Sequence, residues 1–200
     1  MSARPITLHL ELARKALHLL SAAIPLAYAG GASRSVVTWS LVAAALVAVT
    51  VETTRRRFGP AQRRLDRVVG PLLRAHEHAS VTGATWLILA LLGAALALPR
   101  DLAIAAMWAA AVGDPAAALV GRTVGRIRLH PGGKSLEGAL ACLATTLAGG
   151  ALVAGLPVAW AAAAGGAAAL AEWPTGPLDD NVRIVAGVGA TLAAIRMFAA

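Results

Sequence analysis

Residues 82–121 read TGATWLILALLGAALALPRDLAIAAMWAAAVGDPAAALVG. Two apolar runs, 82–98 and 101–121, meet at Pro99-Arg100-Asp101, and each is close to the roughly 20 residues that a helix needs to cross a hydrocarbon core. Comparable runs occur at 12–31, 35–52, 138–156, 158–173 and 182–199. The pattern predicts an all-α, polytopic integral membrane protein with about seven transmembrane helices, built as a single domain over residues 1–200. Composition agrees: 58% of residues are apolar and 14% are charged, against about 25% charged in a soluble domain. Too little polar surface exists to face water on every side.

The net charge of +8 does not point to nucleic acid, because the basic residues fall between apolar runs without aromatic or strand-like patterning. Counted between spans, 15 of the 18 Lys and Arg residues lie on one side, and Arg34, Arg100 and Arg196 lie on the other. The positive-inside rule then puts the N-terminus in the cytoplasm and the C-terminus outside, in the cell membrane. The arginines of the 55–67 loop are read as topogenic. Residues 14–29 have the outline of a signal peptide, ending in Ala27-Tyr28-Ala29, but Glu11 and His18 are unwelcome in such a segment. Cys142 is the single cysteine, so it has no partner for an internal disulfide or a metal site.

Nine of the ten acidic residues fall on the predicted cytoplasmic side; Asp101 is the exception. Four clusters gather there. The first is Arg14, Lys15 and His18. A snorkelling flank accounts for the two cations, but a histidine one turn deeper marks function more often than packing. The second is VGDPAAALVGRTVG, residues 112–125, where Asp114 lies at membrane depth. Asp followed by Pro is the signature of a helix start. The span is therefore expected to break and restart there, exposing N–H groups suited to a phosphate. Gly113, Ala117, Gly121 and Gly125 recur every four residues and allow close approach of a backbone or a ligand.

The third cluster is HPGGKSLEG, with Lys134, Ser135 and Glu137. It fails as a P-loop, since Arg128 stands where that motif needs glycine and no strand precedes it. The fourth is AEWPTGPLDDN, in which Glu172, Asp180 and Asn181 offer oxygen ligands suited to Mg²⁺, while Asp179 reads as part of a solvated turn. Arg74 and Glu77 form a lesser pair before the third run, assigned to the lipid side. Together these groups supply what phosphoryl transfer needs: cations for phosphate oxygens, carboxylates for a divalent metal, and a base. Asp114, Lys134, Glu137 and His18 are the catalytic candidates. Arg14, Lys15, Gly121, Gly125, Lys134 and Ser135 are the nucleotide-binding candidates, and Asp114, Glu172, Asp180 and Asn181 the metal ligands. A polar site at bilayer depth that opens to the cytoplasm calls for a nucleoside triphosphate donor and a lipid acceptor.

The ordered set RKxxH, GDxxAxxxGxxxG, KSxEG and an acidic residue followed by DN resembles the CTP-dependent lipid kinases, which include dolichol kinase, phytol kinase and a CTP-using diacylglycerol kinase. The matching residues are Arg14, Lys15 and His18; Gly113, Asp114, Ala117, Gly121 and Gly125; Lys134, Ser135, Glu137 and Gly138; and Glu172, Asp180 and Asn181, spread over about four fifths of the chain. The resemblance implies CTP as phosphate donor, a divalent cation such as Mg²⁺, and a lipid alcohol acceptor, either an isoprenoid alcohol (dolichol, polyprenol or phytol) or diacylglycerol. Two other readings stand beside it. A CTP:phosphatidate cytidylyltransferase would carry a denser aspartate signature near its C-terminus. A proton- or ion-coupled transporter would place polar groups on both sides of the barrier.

Overall fold

The computed structural model describes residues 8–57, 70, 73, 77, 80–128, 133–173 and 178–199, with side chains from residue 14 onward. The elements in order are α1 (Leu8–Leu20), α2 (Ala23–Ala29), α3 (Arg34–Arg57), α4 (Gly83–Ala97), α5 (Arg100–Trp108), a π-helical segment (Ala109–Gly113), α6 (Asp114–Thr123), α7 (Leu136–Leu152), α8 (Val158–Ala171) and α9 (Asp180–Ala199). Among the described residues the fold is all-helical; the only extended pairing is an isolated bridge between Arg128 and Ser135.

Local chemistry sets the helix ends. Ser135 caps α7, its hydroxyl accepting from the Gly138 N–H at 3.1 Å, a contact that satisfies one of the free N–H groups of a first turn. Thr82 does the same for α4 through the Thr85 N–H. Pro99 and Pro157 stand immediately before α5 and α8, where a missing N–H costs nothing. Gly155 turns the chain between α7 and α8 at φ +69°, a conformation that side chains resist.

The continuous rod formed by α5, the π segment and α6 is the centre of the molecule. Two thirds of its apolar stretch is buried, against about a quarter for α3 and α9. Its own Leu102 and Met107 share one core with Leu91 and Ala95 of α4 and Ile184, Val188 and Leu192 of α9. Small residues bring the neighbouring helices near: Gly149 lies under the Trp108 indole, and Gly165 lies against the Leu143 carbonyl, where a Cβ would come to 2.7 Å. The outer surface is apolar, with Trp39, Leu46, Val47, Leu152, Leu170 and Phe198 all exposed. Exposed apolar area on that scale is foreign to a water-facing surface.

Three helices are long and apolar enough to cross a membrane: Arg34–Arg57, Arg100–Thr123 and Asp180–Ala199. The apolar helices α4, α7 and α8 have 15, 17 and 14 residues, and at 1.5 Å per residue they reach about 21–26 Å. Two expectations are corrected. The run 12–31 is not one helix: Ser21 turns the chain, its hydroxyl and amide both donating to the His18 carbonyl, and α2 starts afresh before Pro25. The central rod also does not break and restart at Asp114-Pro115. Gly113 and Asp114 keep helical dihedrals, no side chain caps the turn, and the helix widens for five residues instead. Widening is the cheaper answer, because a proline inside a regular α-helix removes a bond and collides with the carbonyl four residues back.

Candidate active site

The π segment ends with the Asp114 N–H donating to the Ala109 carbonyl, five residues back. From this widened turn the Asp114 carboxylate meets α1. Lys15 Nζ stands 2.5 Å from Asp114 Oδ2, and His18 Nδ1 stands 3.8 Å from the same oxygen. The other ring nitrogen, His18 Nε2, lies 3.0 Å from the Ala110 carbonyl oxygen. A carbonyl only accepts, so Nε2 carries the proton. All three side chains are largely buried. Arg14, one position earlier, reaches Glu77 Oε2 at 3.4 Å, and Glu77 Oε1 accepts from the Gly83 N–H at 2.8 Å. Glu77 thereby ties α1 to the start of α4. Its partner in the sequence analysis, Arg74, lies outside the described residues.

A second ionic group forms where α8 ends and α9 begins. Lys134 donates to Asp180 at 2.8 Å and stands 3.6 Å from Glu172, while Arg183 pairs with the other oxygen of Asp180. Burial weighs against the Lys134 ammonium, but Glu172 and Asp180 outweigh it and hold its pKa above the ordinary lysine value. Asp179 is drawn in as well. Its Oδ1 accepts from the Asn181 backbone N–H and side-chain amide, and burial pushes its carboxyl above the usual carboxylate range. Asp179 is therefore no solvated turn residue.

Between the two groups lies a cavity of about 700 Å³, within the range typical of small-molecule sites. Lys15, His18, Asp114, Asp179, Asp180 and Asn181 line its polar part, and Leu17, Trp86, Leu87, Ile88 and Leu178 its apolar part. A polar end merging into an apolar wall suits a molecule with a polar head and a hydrocarbon body.

Other predicted residues are placed elsewhere. Gly121, Gly125 and Gly138 form the seam between α6 and the start of α7: a Cβ on Gly125 would come within 2.5 Å of the Ser135 hydroxyl, and one on Gly138 within 2.7 Å of the Ala117 carbonyl. Ser135 is buried in that seam as the α7 cap. Glu137 accepts from the N–H groups of Arg126 and Ile127, so it braces the segment that leads out of α6. The geometry of these five residues is that of packing, and none of them lines the cavity.

The sequence reading missed a buried pair. Arg55, assigned to the topogenic loop, is 3% exposed and donates to Glu52 at 2.7 Å and to the carbonyls of Glu77 and Ser80 at 2.8 and 3.0 Å. Its spacing of three from Glu52, which puts both on one helical face, was the available signal.

Among the described residues, no three His, Cys, Asp or Glu side chains converge at metal-binding spacing. Three buried side-chain oxygens among the described residues nevertheless have no hydrogen-bond partner, and two of them, Glu172 Oε1 and Asn181 Oδ1, belong to or adjoin the second ionic group. Because Asn181 Nδ2 faces the acceptors Asp179 Oδ1 and Gly83 O, its amide orientation is well defined and the oxygen is the atom left over. Hard oxygen donors without a proton to accept fit an oxygen-seeking divalent cation. No protein-family model, curated protein or solved structure matches the chain.

Proposed function

We propose that the chain is an integral membrane lipid kinase that transfers the terminal phosphate of CTP to a lipid alcohol. The observation that carries this reading is the cavity beside Asp114, which joins an ion-paired polar end to an apolar wall. An isoprenoid alcohol or a diacylglycerol, with its hydroxyl at the polar end and its chain along Leu17, Trp86 and Ile88, matches that division. CTP as the donor rests on the resemblance of the four motifs.

In this reading the helices α3 to α9 cross the bilayer, with the α1–α2 pair completing seven passes and the ionic side facing the cytoplasm. The bias of Lys and Arg toward that side supports the orientation. Lys134 and Arg14 attract the donor phosphates by exchanging carboxylate for phosphate oxygens. His18 takes the proton of the acceptor hydroxyl on Nδ1, its unprotonated nitrogen, and Asp114 balances the imidazolium that results. The hydroxyl oxygen bonds to the terminal phosphorus as the bond to the bridging oxygen breaks, giving a lipid phosphate and CDP. Glu172, Asp180 and Asn181 at the second ionic group, with Asp114 from the first, are the residues that would hold Mg²⁺, which when bound neutralises charge on the transferring group.

The test is product formation by the purified chain in nanodiscs, with CTP and a panel of phytol, polyprenol, dolichol and diacylglycerol. CDP release that needs both CTP and one of these alcohols is expected. CDP release that ignores the alcohol, or none with any acceptor, contradicts the reading.

A further inference from the structure

We infer that Pro115 is a positioning residue for His18: because it has no N–H, it leaves the Ala110 carbonyl to the imidazole, which fixes the ring's tautomer and turns Nδ1 toward Asp114. The catalytic consequence rests on the function proposed above; the tautomer itself does not.

The argument is an accounting of one carbonyl. In an α-helix the Ala110 oxygen would accept from the amide of residue 114. Here that amide donates to Ala109 instead, five residues back. In the π register the Ala110 oxygen would accept from residue 115, and residue 115 is proline, which has no amide proton. Neither register supplies a donor. A buried carbonyl without one is costly to keep, and His18 Nε2 meets it at 3.0 Å from the facing helix.

The consequence falls on the other side of the ring. With Nε2 protonated, the neutral imidazole has its lone pair on Nδ1, the nitrogen 3.8 Å from Asp114 Oδ2, on a side chain that lines the cavity. The reverse tautomer would put a proton where the base is needed and a lone pair against a carbonyl oxygen. Packing holds the widened turn in place independently of the proline: a Cβ on Gly113 would come within 2.8 Å of the Thr146 hydroxyl, so the backbone there is pressed against α7. The Asp-Pro dipeptide thus places two parts of one arrangement, the carboxylate directly and the histidine tautomer through a missing hydrogen.

The experiment is ¹⁵N NMR of the full chain in nanodiscs with its five histidines labelled in the ring, the His18 signals being those lost in His18→Gln. The wild type is expected to show Nε2 protonated and Nδ1 bare at a pH where the ring is neutral. Pro115→Ala restores an amide that serves the Ala110 carbonyl in the π register and lets the residue 114 amide serve it in the α register. Either way His18 loses its exclusive acceptor, and its two ring shifts are expected to move toward each other as the tautomers mix. Turnover should fall about 10-fold or more with KM for CTP unchanged, since Lys134 and Arg14 are untouched. A wild-type ring protonated on Nδ1 overturns the inference even if the variant fails to fold. Ring shifts unaltered in a folded Pro115→Ala protein overturn it too, as does unaltered turnover with mixed tautomers. Ring shifts that behave as expected in a protein that transfers no phosphate uphold the tautomer assignment and remove the kinase.

Discussion

The two ends of the helix bundle use their cations differently. At the end where α2, α4 and α7 finish, Arg34 donates to the carbonyls of Ala95 and Leu96, and Arg100 donates to the Tyr28 carbonyl and lies over its ring. These arginines complete the last turns of α2 and α4, where carbonyls lack helical partners and the dipole favours positive charge. The remaining pair, Arg196 with Asp101, is more than a third exposed. At the opposite end Lys15, Lys134 and Arg183 meet carboxylates around a cavity. Finishing helices needs only the first arrangement. The Lys134–Asp180 pair is about as exposed as Arg196 with Asp101, but Lys15, Asp114 and Glu172 are mostly buried; keeping them so is expensive, and that cost sets this end apart.

The largest effect should follow from Asp114. Asp114→Asn leaves Lys15 buried without its anion, and breaking a buried pair costs about 3–5 kcal/mol. Turnover should fall by about 10²–10⁴, the usual contribution of an acid–base pair. In the double variant Lys15→Met with Asp114→Leu, the melting temperature should recover while transfer stays absent, because no unpaired charge remains. Recovery of transfer along with stability would reduce the cavity end to the status of the other end.

Lys134 is the next sharpest. Lys134→Ala should raise KM for CTP about 10-fold, and Lys134→Arg should rescue poorly, since a planar fork does not replace a compact ammonium. Its raised pKa also has a stability signature. The neighbouring Glu172 and Asp180 favour the charged form in the folded chain above its ordinary value of 10.5. The stability it contributes is therefore complete below that pH and is lost as pH rises through the folded value. Thermal unfolding of wild type and Lys134→Ala should differ by a constant amount at neutral pH and converge in the alkaline range above 10.5. A difference that ignores pH would mean that Lys134 has no ionic role in the folded chain.

The smallest effect is expected at the other end. Arg196→Ala removes a partly exposed pair worth about 0–1 kcal/mol and should leave turnover unchanged. A large loss of transfer there would erase the distinction between the two ends.

What the sequence made legible follows from how local each signal is. The apolar runs and the gathering of acidic residues on one side are properties of short windows, and the helices and the ionic end follow them except at 12–31, which the turn at Ser21 divides. The charges of Lys15 and Asp114 are complementary, which can be read without coordinates, but the distance that pairs them cannot. The π segment was not legible. Asp-Pro reads equally well as a helix start, and only the backbone, helical at Gly113 and Asp114 and with the Asp114 N–H on the Ala109 carbonyl, shows that the rod runs on. Arg55 was hidden for a related reason: it is followed by Arg56 and Arg57 at the end of an apolar run, and the carbonyls of Glu77 and Ser80 that accept from it are more than twenty residues away in sequence. Ser135 and the glycines of the α6–α7 seam carry a motif, but their contacts belong to packing.

The most direct test of phosphate transfer uses CTP labelled separately on the terminal phosphate and on the cytosine base, incubated with the chain in nanodiscs and a lipid alcohol. Terminal-phosphate label recovered in the lipid, with the base label remaining in CDP, is the predicted result. Base label recovered in the lipid with release of diphosphate, or no label in the lipid at all, would contradict the account.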